Sequence, residues 1–166
     1  MSHKTDTTIT VAVLTLSDKG SRGEREDLSG PAIKEMIKDI GTVRYSEVIP
    51  DEKELIKAKL IDYSGKVDLI LTTGGTGLSP RDVTPDATLE IIDREIPGIA
   101  EAMRAGGLKK TQRAMLSRAV AGVRGRALVI NLPGSPKAIK EGLEIILEVI
   151  PHAVEKIKGA TEDCGR

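Results

Sequence analysis

Residues 67–88 read VDLILTTGGTGLSPRDVTPDAT. The apolar and β-branched run over 67–73 predicts a buried strand. Gly74, Gly75 and Gly77 permit positive φ and close approach to the backbone, so amides around Thr76 can cradle phosphate oxygens. Thr84 predicts a helix cap with Pro85 in the first turn, and the free amides of that helix favour an anion. A strand, a phosphate-suited loop and a helix, in that order, predict one unit of a parallel α/β sheet. The loop is not GxxxxGK[ST], and no GxGxxG follows the first apolar run, so neither a Walker A loop nor a dinucleotide fingerprint is present.

Working outward, the same alternation continues on both sides. ITVAVLTL (9–16) predicts a first buried strand, and SDKGSRGERED (17–27) a polar loop. Gly30-Pro31 opens a helix whose stripe is Ile33, Ile37 and Ile40, with Gly41 stopping it. TVRYSEVIP (42–50) predicts a second, less buried strand. Asp51 to about Tyr63 predicts a helix with a capping box formed by Asp51 and Glu54. C-terminal to the glycine loop, Pro97 breaks or restarts a helix. AVAGV (119–123) and ALVINL (127–132) flank Arg124-Gly125-Arg126 as a hairpin. Ser135-Pro136 caps a last helical region that Pro151 kinks or divides. The expected architecture is a three-layer α/β/α sandwich with a mostly parallel sheet and a small β-hairpin, one domain over residues 1–166.

In such a sheet, ligands bind beyond the C-terminal ends of the strands. Four segments should meet there: Ser17–Asp27, Pro50-Asp51, Gly74–Asp86 and Pro133–Pro136. Asp51 and Asp82 are the leading carboxylates, each following a predicted strand. A bare carboxylate about 4 Å from a phosphate charge costs on the order of 4 kcal/mol at intermediate dielectric. Such a pair beside a triphosphate therefore suits a Mg²⁺ shared between carboxylate and phosphate oxygens. Each has a structural alternative: Asp51 as the helix cap, Asp82 as a turn residue or the partner of Arg81. Asp18 and Asp27 bracket the first loop as function or turn residues. Arg118 could hold phosphate bidentately or lie on the surface, and Ser135 reads mainly as an N-cap.

Composition excludes several classes. The 166 residues carry 25 basic and 25 acidic side chains, so no net charge draws the chain to nucleic acid or anionic membrane. Two Tyr, with neither Phe nor Trp, offer little surface for stacking bases. The only cysteine, Cys164, can form no internal disulfide and reads as a tail residue. His3 and His152 are poorly placed as bases, which argues against a His-assisted nucleophile; phosphoryl or nucleotidyl transfer needs none. No run of 18 apolar residues spans a membrane, and the polar N-terminus is unlike a signal peptide, so the expected location is cytoplasmic. Gln112 and Asn131 are the only side-chain amides among abundant Lys and Glu, a tilt towards a thermophile. Between Arg104 and Lys140 lie nine basic residues and no acidic one, which suits an anionic small ligand or an acidic partner, or else a solvated face.

The segments LSDKGSRGEREDLSGP, IPDE, TTGGTGLSPRDVTPDAT, LSRAVAG and NLPGSPKA resemble the molybdopterin adenylyltransferase family of molybdenum cofactor biosynthesis, over roughly residues 9–150. The resemblance implies binding of molybdopterin and Mg²⁺-ATP, with the molybdopterin phosphate attacking the α-phosphorus and pyrophosphate leaving. By motif, Asp51 and Asp82 fall on the family's acidic catalytic and metal-holding positions. Gly74, Gly75, Thr76 and Gly77 fall against nucleotide or pterin phosphate, and Ser17, Asp18, Ser117, Pro133, Gly134 and Ser135 on the pocket rim, undivided between the two substrates. A homotrimer and a transient contact with a molybdenum-insertion protein are further implications. The competing class is a non-catalytic molybdopterin-binding or scaffolding paralogue.

Overall fold

The computed structural model describes residues 8–160; Cys164 and His3 lie outside them. Six strands form one sheet in the order β2-β1-β3-β6-β5-β4. They are β1 (Ile9–Leu16), β2 (Gly41–Ile49), β3 (Leu69–Thr73), β4 (Arg94–Glu95), β5 (Ala121–Arg124) and β6 (Ala127–Leu132). Strands β2, β1, β3 and β6 run parallel, whereas β5 and β4 are antiparallel additions at one edge. The β5–β6 hairpin turns at Gly125, as expected, with Gly125 at φ 57°.

The helices are α1 (Asp18–Ser21), α2 (Ser29–Ile37), α3 (Lys53–Ser64), α4 (Thr84–Ile91), α5 (Pro97–Leu108), α6 (Pro136–Ile146) and α7 (Ile150–Ile157), with a 3₁₀ turn at Gln112–Leu116. Strand alternation sorts them into layers. Val11, Val13, Leu69, Leu71, Leu128 and Ile130 point one way and pack with apolar residues of α2, α5, α6 and α7. Ala12, Leu14, Ile70 and Val129 point the other way, against α3 and α4. Both faces of the central strands are buried, which is why those strands read as continuous apolar runs. The expected three-layer α/β/α sandwich is the observed one. No helix among the described residues is long and apolar enough to cross a membrane.

Several local readings are corrected. Gly41 does not stop α2, which ends at Ile37; it opens β2, and a Cβ there would lie 2.8 Å from the Ile9 carbonyl. The Asp51–Glu54 capping box is absent: Glu52 takes the cap position of α3 without a side-chain bond. Val83, not Thr84, occupies the cap position of α4. The 3₁₀ turn, α1 and the two-residue β4 had no signal in the periodicity, being shorter than the window that reveals one. Pro97 starts α5, Pro151 lies in the first turn of a separate α7, and Ser135 caps α6 by accepting the Ala138 amide at 3.2 Å.

Candidate functional site

Because β2, β1, β3 and β6 are parallel, their C-terminal loops emerge on one rim. The order reverses between β1 and β3, the switch point at which such sheets open a crevice. The four expected segments are tied together there by hydrogen bonds. Ser17 N donates to Ile49 O at 2.9 Å and Gly74 N to Leu132 O at 3.3 Å. Thr73 Oγ1 donates to Pro133 O at 2.6 Å, and Ser29 Oγ to Gly134 O at 3.0 Å.

The glycine loop sits at the centre. Gly74 and Gly75 adopt φ of 95° and 67°, a region that side chains with a Cβ disfavour. A Cβ on Gly75 would overlap Thr84 Oγ1 and come within 3.1 Å of Asp51 Oδ1. A Cβ on Gly77 would lie 2.9 Å from Asp82 Oδ2. The two leading carboxylates, thirty-one positions apart in sequence, therefore flank the same four-residue loop.

Their surroundings differ. Asp51 Oδ2 accepts the Asp18 amide at 3.1 Å, and Asp18 Oδ1 accepts the Asp51 amide at 3.0 Å, a reciprocal clasp between the β1 and β2 loops. This tertiary clasp displaces the capping box, because Asp18 offers both a donor and an acceptor to Asp51. Asp51 Oδ1 is buried without a hydrogen-bond partner, and Thr84 Oγ1 is the only other such side-chain atom among the described residues. Burial raises the Asp51 carboxyl above its ordinary value, and the nearby charges of Asp18 and Asp82 push the same way. Asp82 Oδ2 accepts the Ser79 amide at 3.0 Å, closing its own turn. Arg81 does not pair with Asp82; its Nε and Nη2 reach Asp18 at 3.0 and 2.8 Å. That guanidinium bond, followed by the Asp51 amide, holds the Asp18 carboxyl below the usual range.

Arg118, expected either at phosphate or on the surface, meets protein groups beside the glycine loop. Its Nε donates to Gly77 O at 2.9 Å and its Nη2 to Asp82 O at 2.6 Å, while both Nη atoms meet the Asp86 carboxylate. Its donors are committed to the loop itself, which it braces from below together with the Arg118 N to Thr76 O bond at 2.9 Å. The basic stretch divides: Arg104 donates to Ser117 O and Ala119 O, and Arg124 to Ile91 O, whereas Lys109, Lys110, Arg113, Arg126, Lys137 and Lys140 are exposed. The Arg104 and Arg124 guanidinium groups satisfy carbonyls that the fold leaves without backbone partners.

The remaining rim residues divide between two cavities. One, of about 390 Å³, is lined by Ser17, Gly74, Gly134 and Ser135 together with Asp27 and Ser29. The other, of about 250 Å³, meets Thr76, Ser117 and Pro133 and continues along apolar Ala100, Met103 and Ile145. Ser17 and Ser135 are helix caps with hydroxyls already accepting Gly20 N and Ala138 N. Asp27 closes the turn into α2, its carboxylate accepting Ser29 N, Gly30 N and Thr15 Oγ1. Sequence reading missed Ser29 and the orphaned hydroxyl of Thr84. Asp27, two residues before Ser29-Gly30-Pro31, was a signal for the first; nothing local marks the second.

No cluster of three His, Cys, Asp or Glu side chains converges as a metal cage among the described residues. A Mg²⁺ held by one or two carboxylates plus substrate phosphate oxygens needs no such cage. The unpartnered Asp51 Oδ1, with Asp82 across the loop, fits that mode of binding.

A family model described as "Probable molybdopterin binding domain" matches residues 12–152. The molybdopterin adenylyltransferase of Helicobacter pylori is 44% identical over 157 residues, covering 92% of this chain and 89% of that protein. The molybdopterin adenylyltransferase of Escherichia coli K12 is 43% identical over 156 residues, covering 89% and 80%. The crystal structure of the molybdopterin biosynthesis enzyme MoaB from Thermus thermophilus is 53% identical, with a TM-score of 0.87 over 92% of this chain and 98% of that one. With the family model spanning most of the sequence and these relatives aligned almost end to end, the chain belongs to the molybdopterin-binding domain family of molybdenum cofactor biosynthesis.

Proposed function

We propose that this chain is a molybdopterin adenylyltransferase that uses ATP. An oxygen of the molybdopterin phosphate forms a bond to the α-phosphorus of ATP. The bond from that phosphorus to the oxygen bridging the β-phosphate breaks, and pyrophosphate departs. The enzyme class and the role in molybdenum cofactor biosynthesis are those of the relatives. The observation that carries the finer reading is a buried carboxylate oxygen left without a partner, Asp51 Oδ1, beside a glycine loop flanked on its other side by Asp82.

The chain's own residues divide the work. Amides of Gly75–Gly77 bind the transferred phosphoryl group, while the Gly74 amide ties the loop to Leu132 O and Arg118 braces it at Gly77 O. Asp51 and Asp82 would hold Mg²⁺, which would supply screening of phosphate charge. No general base is required, since a phosphate monoester is already largely ionised near neutral pH. Positioning two substrates on one rim then supplies much of the rate, and two separate cavities, one touching the glycine loop at Gly74 and the other at Thr76, suit two substrates. We further place the protein as a single domain assembling into a homotrimer, measurable by light scattering.

Incubation with molybdopterin, ATP and Mg²⁺ tests the reaction. Adenylylated molybdopterin and pyrophosphate should appear in equal amounts. Retention of molybdopterin without pyrophosphate release would instead identify a pterin-binding or scaffolding protein.

A further inference from the structure

The rim carries three carboxylates, Asp18, Asp51 and Asp82, and Arg81 is the cation whose charge bears on both Asp18 and Asp51. Arg118, the arginine that sequence alone suggests for phosphate, is committed to carbonyls and Asp86. Arg81 is held differently. It stands in a turn closed by Asp82 N to Ser79 O and by Ser79 N to Asp82 Oδ2, so its backbone is fixed. Its guanidinium leaves that turn and crosses to Asp18, sixty-three positions away. The Arg81 side chain remains 59% exposed and that of Asp18 26%. The pair is bidentate but its guanidinium is open to solvent, so screening keeps it modest and Arg81 can turn to another anion without uncovering a buried surface.

We infer that Arg81 is a movable phosphate-holding residue, which exchanges Asp18 for the oligophosphate of the incoming nucleotide. This rests on the nucleotide reading above and deepens it. The fork that matches a carboxylate bidentately matches two phosphate oxygens equally well. Before the nucleotide arrives, the pair with Asp18 lowers the negative charge of the rim. Once it arrives, the same guanidinium faces the phosphates that the three carboxylates would otherwise repel, and its turn keeps it beside the glycine loop throughout. Asp18 stays oriented by the Asp51 amide when Arg81 departs. Arg81 thus acts on affinity for the phosphate tail and not on the nucleoside.

Titration calorimetry of ATP and of adenosine, with Mg²⁺ present, against wild type, Arg81→Gln, Arg81→Lys and Arg25→Gln tests this. Arg25 lines the adjoining larger cavity and serves as the comparison cation. Arg81→Gln should weaken ATP by about tenfold or more, leave adenosine binding and the melting temperature as in wild type, and be partly rescued by Arg81→Lys. ATP binding by wild type and by Arg81→Gln with equal affinity would overturn the inference while leaving the nucleotide reading intact. Loss in Arg25→Gln with none in Arg81→Gln would do the same. Failure of wild type to bind ATP at all would overturn the nucleotide reading, and this inference with it.

Discussion

Two aspartates stand at opposite ends of the parallel strands, and the fold treats them in opposite ways. Asp68 precedes β3 on the N-terminal rim. Its Oδ1 meets Lys158 Nζ of the chain beyond α7 at 2.7 Å, and its Oδ2 accepts both the amide and the hydroxyl of Thr10 at 2.9 and 3.0 Å. Burial alone would raise its carboxyl, but Lys158 and Thr10 more than offset this and hold it below the ordinary value. Asp51 follows β2 on the C-terminal rim, where one oxygen is clasped, the other is orphaned, and burial pushes the carboxyl up. A carboxylate satisfied on both oxygens ties elements together. One kept half-satisfied in a buried place costs stability and is available to something the polypeptide does not provide.

The largest expected effect separates the two rims by activity. Asp51→Asn and Asp82→Asn should each lower adenylyl transfer by about a hundredfold or more, with melting no lower than wild type for Asp51→Asn, whereas Asp68→Asn should turn over normally. Pyrophosphate release measured beside thermal melts decides it, and full turnover in both rim variants would break the comparison. Next comes the loop between Asp51 and Asp82. Gly75→Val places a β-branched residue at positive φ and drives a side chain into Thr84 and Asp51. We expect a stability loss of about 1–3 kcal/mol or more together with loss of ATP binding. Calorimetry showing wild-type affinity in a well-folded protein would contradict the cradle.

On the opposite rim, Asp68→Ala should cost about 1.5–3 kcal/mol by leaving the Thr10 donors and Lys158 without their acceptor; denaturant unfolding measures it. The smallest effect is in pH. Asp68 titrates lower in the folded protein than in the unfolded chain, so its stabilisation is present above the unfolded value of 3.8 and is lost as pH falls through the folded one. Asp51 runs the other way: its penalty is present above its raised folded value and is relieved as pH falls towards 3.8. Melting curves in acid should therefore flatten in Asp68→Asn and steepen in Asp51→Asn. Identical acid limbs would erase the distinction.

Much of this was legible before any coordinates. Strands β1, β3 and β6 are apolar on both faces, so their residues read as uninterrupted runs, and their alternation with helices dictates parallel pairing. Parallel pairing in turn sends all four loops to one rim, which is how Asp51, Asp82 and the glycines could be grouped in advance. Partner choice was not legible. Asp51 looks like a cap to its own helix because Glu54 is at the right spacing, yet Asp18 from another loop takes both its oxygen and its amide. Arg81 sits next to Asp82 in sequence but bonds Asp18, since adjacent side chains in a closed turn diverge. Arg118 has the chemistry of a phosphate ligand, and no local signal foretold its bonds to Gly77 O, Asp82 O and Asp86.

The sequence by itself determined the layers, the direction of the strands and the rim on which chemistry could gather, because burial periodicity and chain connectivity are local properties. Only the tertiary structure decided which polar atoms are satisfied and which are left over. Hydrogen-bond pairing at the rim depends on loops brought together from 33 and 63 positions away, and no local spacing records which of several competing donors arrives first.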